Sequence, residues 1–555
     1  MPTGNHVTLV PYRDDILQVA AERITHRCAA ALPDLADCVV LLPELHFAPQ
    51  LRWQLLQSAR SKGYPALLGP VVSTLEHWLS ERFPVTREIP GRARRELMLV
   101  AALQQHRAVF PGIDPWHIAN DLIALFDELT LNRITLPGDI ETFTRQLGKA
   151  YGVSGRLPEP LGMEAAIVHR LWQAWHEQLD MEDLLDPGMA YLQRLAAARS
   201  DRSEQTLFLV GFSAFTSAEM EWVSDLLPGN RAELILRAPS LLAAGDTPDP
   251  IQTLLERIDA RPAAPRTRDT AAQCLEAVFR SGAEPPAQRA SEFSRRVPQS
   301  PLSGRLAILA ANTAEQEAQA IDLQVRQWLL AGHQPIGIVT EDRRLARRVR
   351  ALLERAAIGL QDSGGWALST TSAAAALESW LETVEEDFAH QPLLDVLKSA
   401  FIFPDEERTD RLSTVHRLEQ DIILHENIAR GLARYRRHIG YRLKRLPTSW
   451  SKHTAMALQD LLNRLDQAAA PLREFIGREP AAPSHLLEGL RASLEKLGMW
   501  AAFDADPAGR RILNEWDLLY QAARHSGLTL TWPEFRAWLG TALERHDFHP
   551  ATGDS

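Results

Sequence analysis

Four short apolar runs recur through the first part of the chain, and each is followed by a stretch of helical period. They are residues 6–10 (HVTLV), 38–42 (CVVLL), 206–210 (TLFLV) and 232–236 (AELIL). Runs this short do not make a buried helix, and they lack the strict alternation of a strand with one wet face. They suit strands covered on both sides, which means a parallel sheet between helical layers. The period places helices at residues 14–32, 48–59 and 73–79, with a third strand at 66–68 (ALL). An α/β fold follows.

Between the second and later runs the pattern changes. Residues 94–106, 115–131, 140–151 and 164–179 are helical in period with no strand between them, so 91–204 is expected to be an all-α insertion. The sheet resumes near 205, where Thr216 and Glu219 have capping-box spacing before a helix over 217–227. Residues 241–304 are rich in Ala, Pro, Arg and Ser and are expected to be a linker or peripheral loop. A βαβα unit is expected next, with strands at 306–309 and 336–339 and helices at 315–330 and 343–357. From 373 to 555 the chain is expected to be helical, with loops at 444–452 and 478–484.

A length of 555 residues implies several domains, and a net charge of −11 excludes a chain that coats nucleic acid with its whole surface. Any such contact must come from local patches. No apolar run approaches the ~20 residues of a membrane span. The first residues lack the basic-then-apolar order of a secretory signal. The cysteines, Cys28, Cys38 and Cys274, number only three and lack CxxC spacing. That makes a disulfide framework or a cysteine metal site unexpected, and it fits a reducing cytoplasm. Six lysines against 54 arginines reflect compositional bias more readily than phosphate recognition.

Four segments, in this order, resemble the AddB-type proteins of bacterial double-strand-break repair, several of which end in a PD-(D/E)XK nuclease. They are LLPELHFAPQLRWQLL (41–56), GRARRELMLVAAL (91–103), LFLVGFSAFTSAEMEWVSDLL (207–227) and the long segment 310–358, beginning AANTAEQEAQAIDL. The resemblance implies a superfamily-one helicase shape, with RecA-like (P-loop-NTPase-type) parallel-sheet domains carrying large helical insertions. Residues 1–90 and 205–240 would then be a degenerate first RecA-like domain, and 305–372 the start of a second, left incomplete. It also implies DNA as a partner, single-stranded or end-containing, and an AddA-like motor subunit as another.

The chemistry of such a family can be sought directly. An ATP-driven motor needs GxxxxGK[ST] after the first strand. Here that strand runs into Pro11-Tyr12-Arg13-Asp14-Asp15, and the only Gly-Lys pair, Gly148-Lys149, is followed by Ala150 inside the helical insert. Magnesium normally takes an acidic pair after the later strand, where this chain has Val210-Gly211-Phe212-Ser213. Active relatives place an arginine after the strand that 336–339 would form, whereas Thr340-Glu341-Asp342 precede the first arginine, Arg343. A PD-(D/E)XK centre needs a lysine two positions after an acid; none of Lys62, Lys149, Lys398, Lys444, Lys452 and Lys496 has one. No ATPase or nuclease centre, no cofactor and no catalytic residue is therefore expected in this chain. His546, Asp547 and His549 read as solvated polar groups rather than a metal site. The ending ATGDS suggests a truncated or split gene product.

What remains is binding. Residues 430–452 interleave cations with aromatics: Arg434, Arg437, Arg442, Lys444 and Arg445 beside Tyr435, Tyr441 and Trp450. A single-strand groove uses charge for the backbone and ring faces for the bases; the competing reading is a solvated helix balanced by Glu419 and Asp421. The resemblance adds Ser73 and Thr74, near where active helicases touch a strand backbone through a hydroxyl, against a helix-capping role. The arginines of 343–350 spread around more than one helical face and read as solvated. The leading expectation is a non-catalytic, helicase-like DNA-binding part of a repair protein. The alternatives are the front of a metal-dependent exonuclease whose centre lies beyond residue 555, or a scaffold for a motor subunit.

Overall fold

The computed structural model describes residues 6–11, 14–105, 115–153, 159–201, 203, 205–229, 231–238, 249–260, 270–279, 284–360, 362, 364–444 and 450–549. It divides into two compact units, Met1–Pro90 with Ala124–Ala310, and Gly91–Ile123 with Ala311–Ser555.

The first unit is built on a five-stranded, wholly parallel sheet: β1 (Val7–Val10), β2 (Cys38–Leu42), β3 (Val71–Thr74), β4 (Thr206–Val210) and β5 (Ala232–Arg237), in the order β1-β5-β4-β2-β3. The α/β expectation holds at this level. Every residue of β2 is buried, because successive side chains feed two different cores. Val40 and Leu42 join Phe208, Val210 and Ile235 under the Ile16–Arg27 and Ala48–Ser61 helices, through Ile24 and Leu51. Val39 and Leu41 join Leu207, Leu209 and Leu234 on the other face, under Trp78 and Trp222. That division is why the strand reads as a continuous apolar run.

Three expectations need correction. The third strand is Val71–Thr74 rather than 66–68, and Leu68 makes only an isolated bridge to Asp34. As an edge strand ending in Ser-Thr, β3 pairs on one side only, so its apolar signal is weak. Residues 241–304 are not simply a linker: Pro250–Arg257, Thr270–Phe279 and Pro286–Arg296 are helices. Asp249 caps the first of these, and Ile251, Leu254 and Leu255 enter a sheet core. Among the described residues, 91–204 contributes helices and no strand of the sheet, but Gly91–Ile123 groups with the second unit and the remainder with the first.

In the second unit, the Ala314–Leu330 and Arg343–Arg355 helices pack through Ala318, Val325, Leu345, Val349 and Leu353. The strands expected at 306–309 and 336–339 form no ladder. Ile336 and Ile338 pack partly against those helices, while Val339 is 98% exposed. In the first unit, Ile308 is 89% exposed. A strand of this composition needs neighbours on both edges and both faces, and neither segment has them among the described residues.

Among the described residues, the remainder of the second unit is mainly helical, with Trp380, Tyr435, Phe503, Phe535 and Trp538 fully buried. One departure from all-helix is a short antiparallel ladder between Trp366–Ala367 and Asp547–Phe548. Gly365 lies beside it at a φ of +58°, where a Cβ would stand 2.7 Å from the His549 ring. His546 turns to Glu515, its Nε2 2.7 Å from the carboxylate. Among the described residues, no helix is long and apolar enough to cross a membrane.

Candidate nucleic-acid interface

The turn after β1 is where a nucleotide-binding relative would cradle phosphate, and its polarity here is reversed. Asp15 caps the Ile16–Arg27 helix, its carboxylate accepting from the Leu17 and Gln18 amides at 2.9 and 3.3 Å. Those amides are the ones an anion would take. From the end of β5, Arg237 donates to the Pro11 and Asp14 carbonyls at 2.8 and 2.7 Å. The turn thus points carbonyls at a guanidinium and a carboxylate at its amides. Tyr12 and Arg13 lie outside the described residues. After β4, Gly211 turns at a φ of +79°, and Phe212 stacks on Phe215 with ring centres 5.1 Å apart. Aromatic packing therefore occupies the position where acidic metal ligands were sought. Asp342 caps the Arg343–Arg355 helix. Arg343, the first arginine of that helix, is paired with Asp362 at 3.2 Å.

Ser73 and Thr74 end β3. Thr74 is the cap of the Leu75–Arg82 helix, its hydroxyl oxygen accepting from the His77 amide at 3.3 Å. Ser73 is 4% exposed, and its Oγ has no hydrogen-bond partner among the described residues. One hydroxyl serves a cap and the other faces inward, so this pair does not present a surface to a strand backbone.

The basic stretch of 430–452 separates into two halves. Its helix is Leu432–Lys444, anchored by a stripe of Leu432, Tyr435 and Ile439 at i, i+3 and i+7. Tyr435 is fully buried and donates from its hydroxyl to the Phe388 carbonyl at 2.9 Å. Burial pushes its phenol up to about 12. Arg436 reaches Asp466 at 2.9 Å and Asn463 at 3.1 Å. Arg442 lies 3.3 Å from Asp421 and 3.4 Å from Glu426, with its guanidinium over the Trp450 ring at 5.5 Å. Trp450 is buried, its indole N–H on Asp421 at 2.7 Å. Tyr435, Arg436, Arg442 and Trp450 are framework, and Arg445 lies outside the described residues.

The other half stays in solvent. Arg434, Arg437, Tyr441 and Lys444 fall at i, i+3, i+7 and i+10, and all four are exposed. They share one face of the helix over ~15 Å. None of Arg434, Arg437 and Lys444 has an ion-pair partner among the described residues, in contrast to Arg436 and Arg442. The Tyr441 ring is 55% exposed and meets His438 edge-on at 5.7 Å. A cleft lined by Glu382, Glu386 and Asp395 also takes in Arg430, two residues before this helix. Among the arginines of 343–350, three differ from that row: Arg343, as above, and two more. Arg348 pairs with Glu315 and Arg350 with Glu354, both at 2.6 Å. Those side chains are committed to surface ion pairs.

Sequence reasoning found the cluster but not its division. The signal was present in the apolar stripe Leu432-Tyr435-Ile439, which assigns the outward face once the helix is drawn. Against known proteins, no family model matches this chain, and no curated protein matches it.

Proposed function

We propose that this chain is a non-catalytic, helicase-like module of an AddB-type DNA-repair protein, and that it holds single-stranded or end-containing DNA in the cytoplasm. The RecA-like reading of its sheet unit rests on the four family-like segments. The all-parallel sheet interrupted by helices between β3 and β4 accords with it. The observation that carries the DNA reading is the outward row Arg434, Arg437, Tyr441 and Lys444. Cations without acidic partners beside an exposed ring suit a phosphate backbone and an unstacked base together. On a chain of net charge −11, such a row is a local exception. The capped and guanidinium-filled β1 turn supports a nucleotide-independent role.

A scaffold for an AddA-like motor is favoured by a separate observation. Leu330, at the end of a helix, and Ile308 and Val339, outside regular structure, are 90%, 89% and 98% exposed, which is unusual for large aliphatics.

Titrating a dye-labelled oligothymidylate with the whole chain tests the proposal. The expected result is saturable binding whose log affinity falls with log salt at a slope of about −2, from three phosphate contacts at ~0.7 each. Magnesium-ATP should leave the curve unchanged. Flat anisotropy at low salt, or ATP-dependent binding, would overturn it.

A further inference from the structure

We propose that Cys28 and Cys38 form a redox-active dithiol, a modification site for oxidants of the low-molecular-weight disulfide class such as glutathione disulfide. The two lie ten positions apart without motif spacing, yet the fold brings their Sγ atoms to 3.2 Å. Cys28 terminates the Ile16–Arg27 helix, its amide bonded to the Ile24 carbonyl at 2.9 Å. Cys38 opens β2, its amide bonded to the Leu35 carbonyl at 2.9 Å. Both ends of the pair are therefore held by the backbone. A bond at ~2.05 Å requires the sulfurs to close by about 1.2 Å, which is within side-chain rotation.

Ordinary buried thiols are inert apolar fillers, and two features separate this pair from them. Cys28 is only partly buried, whereas Cys38 is 5% exposed, so one sulfur can be reached and the other waits behind it. The pair is also asymmetric in acidity. The Cys38 thiol beside it holds Cys28 below the usual thiol range, with Arg27 helping, and Cys38 is pushed up by its interaction with Cys28 and by burial. That order makes Cys28 the attacking sulfur and Cys38 the resolving one.

The chemistry balances in two exchanges. The Cys28 thiolate attacks one sulfur of glutathione disulfide, forming a mixed disulfide and expelling one glutathione thiolate. Cys38 then loses its proton and attacks Cys28 Sγ, expelling the second. The protein loses two electrons and two protons, the oxidant becomes two glutathione thiols, and dithiothreitol reverses the change. The new bond would tie the end of the Ile16–Arg27 helix to the start of β2, the strand between β3 and β4.

Cys274 is a built-in control, because it lies apart on the Thr270–Phe279 helix. Trypsin leaves Cys28 and Cys38 on one peptide, residues 28–52. The full chain is treated with glutathione disulfide, denatured, alkylated and mapped by mass. The expected result is a 28–52 peptide lighter by two hydrogens and carrying no alkyl group, with Cys274 alkylated. The Cys38→Ser variant should stop at one glutathione adduct on Cys28. Alkylation of both cysteines after treatment, a wild-type adduct on Cys28 that never closes, or modification of Cys274 first would each overturn the proposal. The wild-type result decides the matter even if Cys38→Ser fails to fold.

Discussion

The triple charge reversal R434E/R437E/K444E is expected to weaken single-stranded DNA binding by at least ~100-fold near physiological salt, while leaving the thermal transition in place. Each single-strand phosphate contact contributes ~0.7 to the salt slope, so losing three should flatten it by about 2. Reversal adds repulsion to that loss. Stability should hold because these side chains are exposed and have no ion-pair partners among the described residues. Surface changes of this kind usually stay within ~0.5 kcal/mol each. Arg442→Glu supplies the contrast. It would place a carboxylate beside Asp421 and Glu426 and remove the cation over Trp450, so it should lower stability. Anisotropy and a thermal melt on the same samples separate the two effects. If the triple variant binds like wild type, the outward row is not the interface.

The second large effect concerns stability. Arg411→Met is expected to destabilise the second unit by about 3–5 kcal/mol. Arg411 is 5% exposed, and its guanidinium donates to the Ser399 and Phe403 carbonyls at 3.0 Å each and to the Ile402 carbonyl as well. Three carbonyls of one turn thus depend on a single side chain. Phe403 there holds a φ of 46°, a conformation an ordinary residue keeps only when its surroundings impose it. Burial lowers the pKa of this arginine, while neighbouring Glu406 works in the opposite direction. Methionine fills the volume but supplies no donor, so the buried carbonyls lose their partners. Urea unfolding followed by circular dichroism measures the loss. A change under ~1 kcal/mol would mean that water replaces the guanidinium at the turn.

What the sequence disclosed and what it hid follow from how local each signal is. The runs CVVLL and TLFLV are strands because burial on both faces leaves no room for polar residues, and that is visible within five positions. The Thr216–Glu219 box is equally local and forms as read, with Glu219 accepting from the Thr216 amide at 2.7 Å. β3 escaped because an edge strand written VVST carries little apolar excess. The helices within 241–304 were masked by Ala, Pro and Arg, although Ile251, Leu254 and Leu255 have helical spacing. The reverse error occurred at 306–309 and 336–339. Their composition announces strands, but a strand is completed by its neighbours, and no window on the sequence contains them.

The candidate site shows the same division. Charge density along 430–452 was readable; which cations are spent on Asp421, Glu426 and Asp466 was not, because those acids lie outside that stretch and reach it only through the fold. Ser73 and Thr74 illustrate how far a resemblance carries. It pointed to the end of β3, while local geometry assigns Thr74 to a cap and turns Ser73 inward. The Cys28–Cys38 approach depends on a turn between a helix and a strand and was invisible to spacing.

The central claim is that DNA lies along the outward face of the Leu432–Lys444 helix, and photocrosslinking tests it most directly. An oligonucleotide carrying 5-iodouracil is bound to the whole chain, irradiated, digested and mapped by mass. The expected adduct is on Tyr441, which is 55% exposed, with none on Tyr435 or Trp450, which are buried in the same region. Loss of that adduct in R434E/R437E/K444E should accompany loss of binding. Saturable binding with crosslinks confined to other segments, and none on Tyr441, would contradict the account.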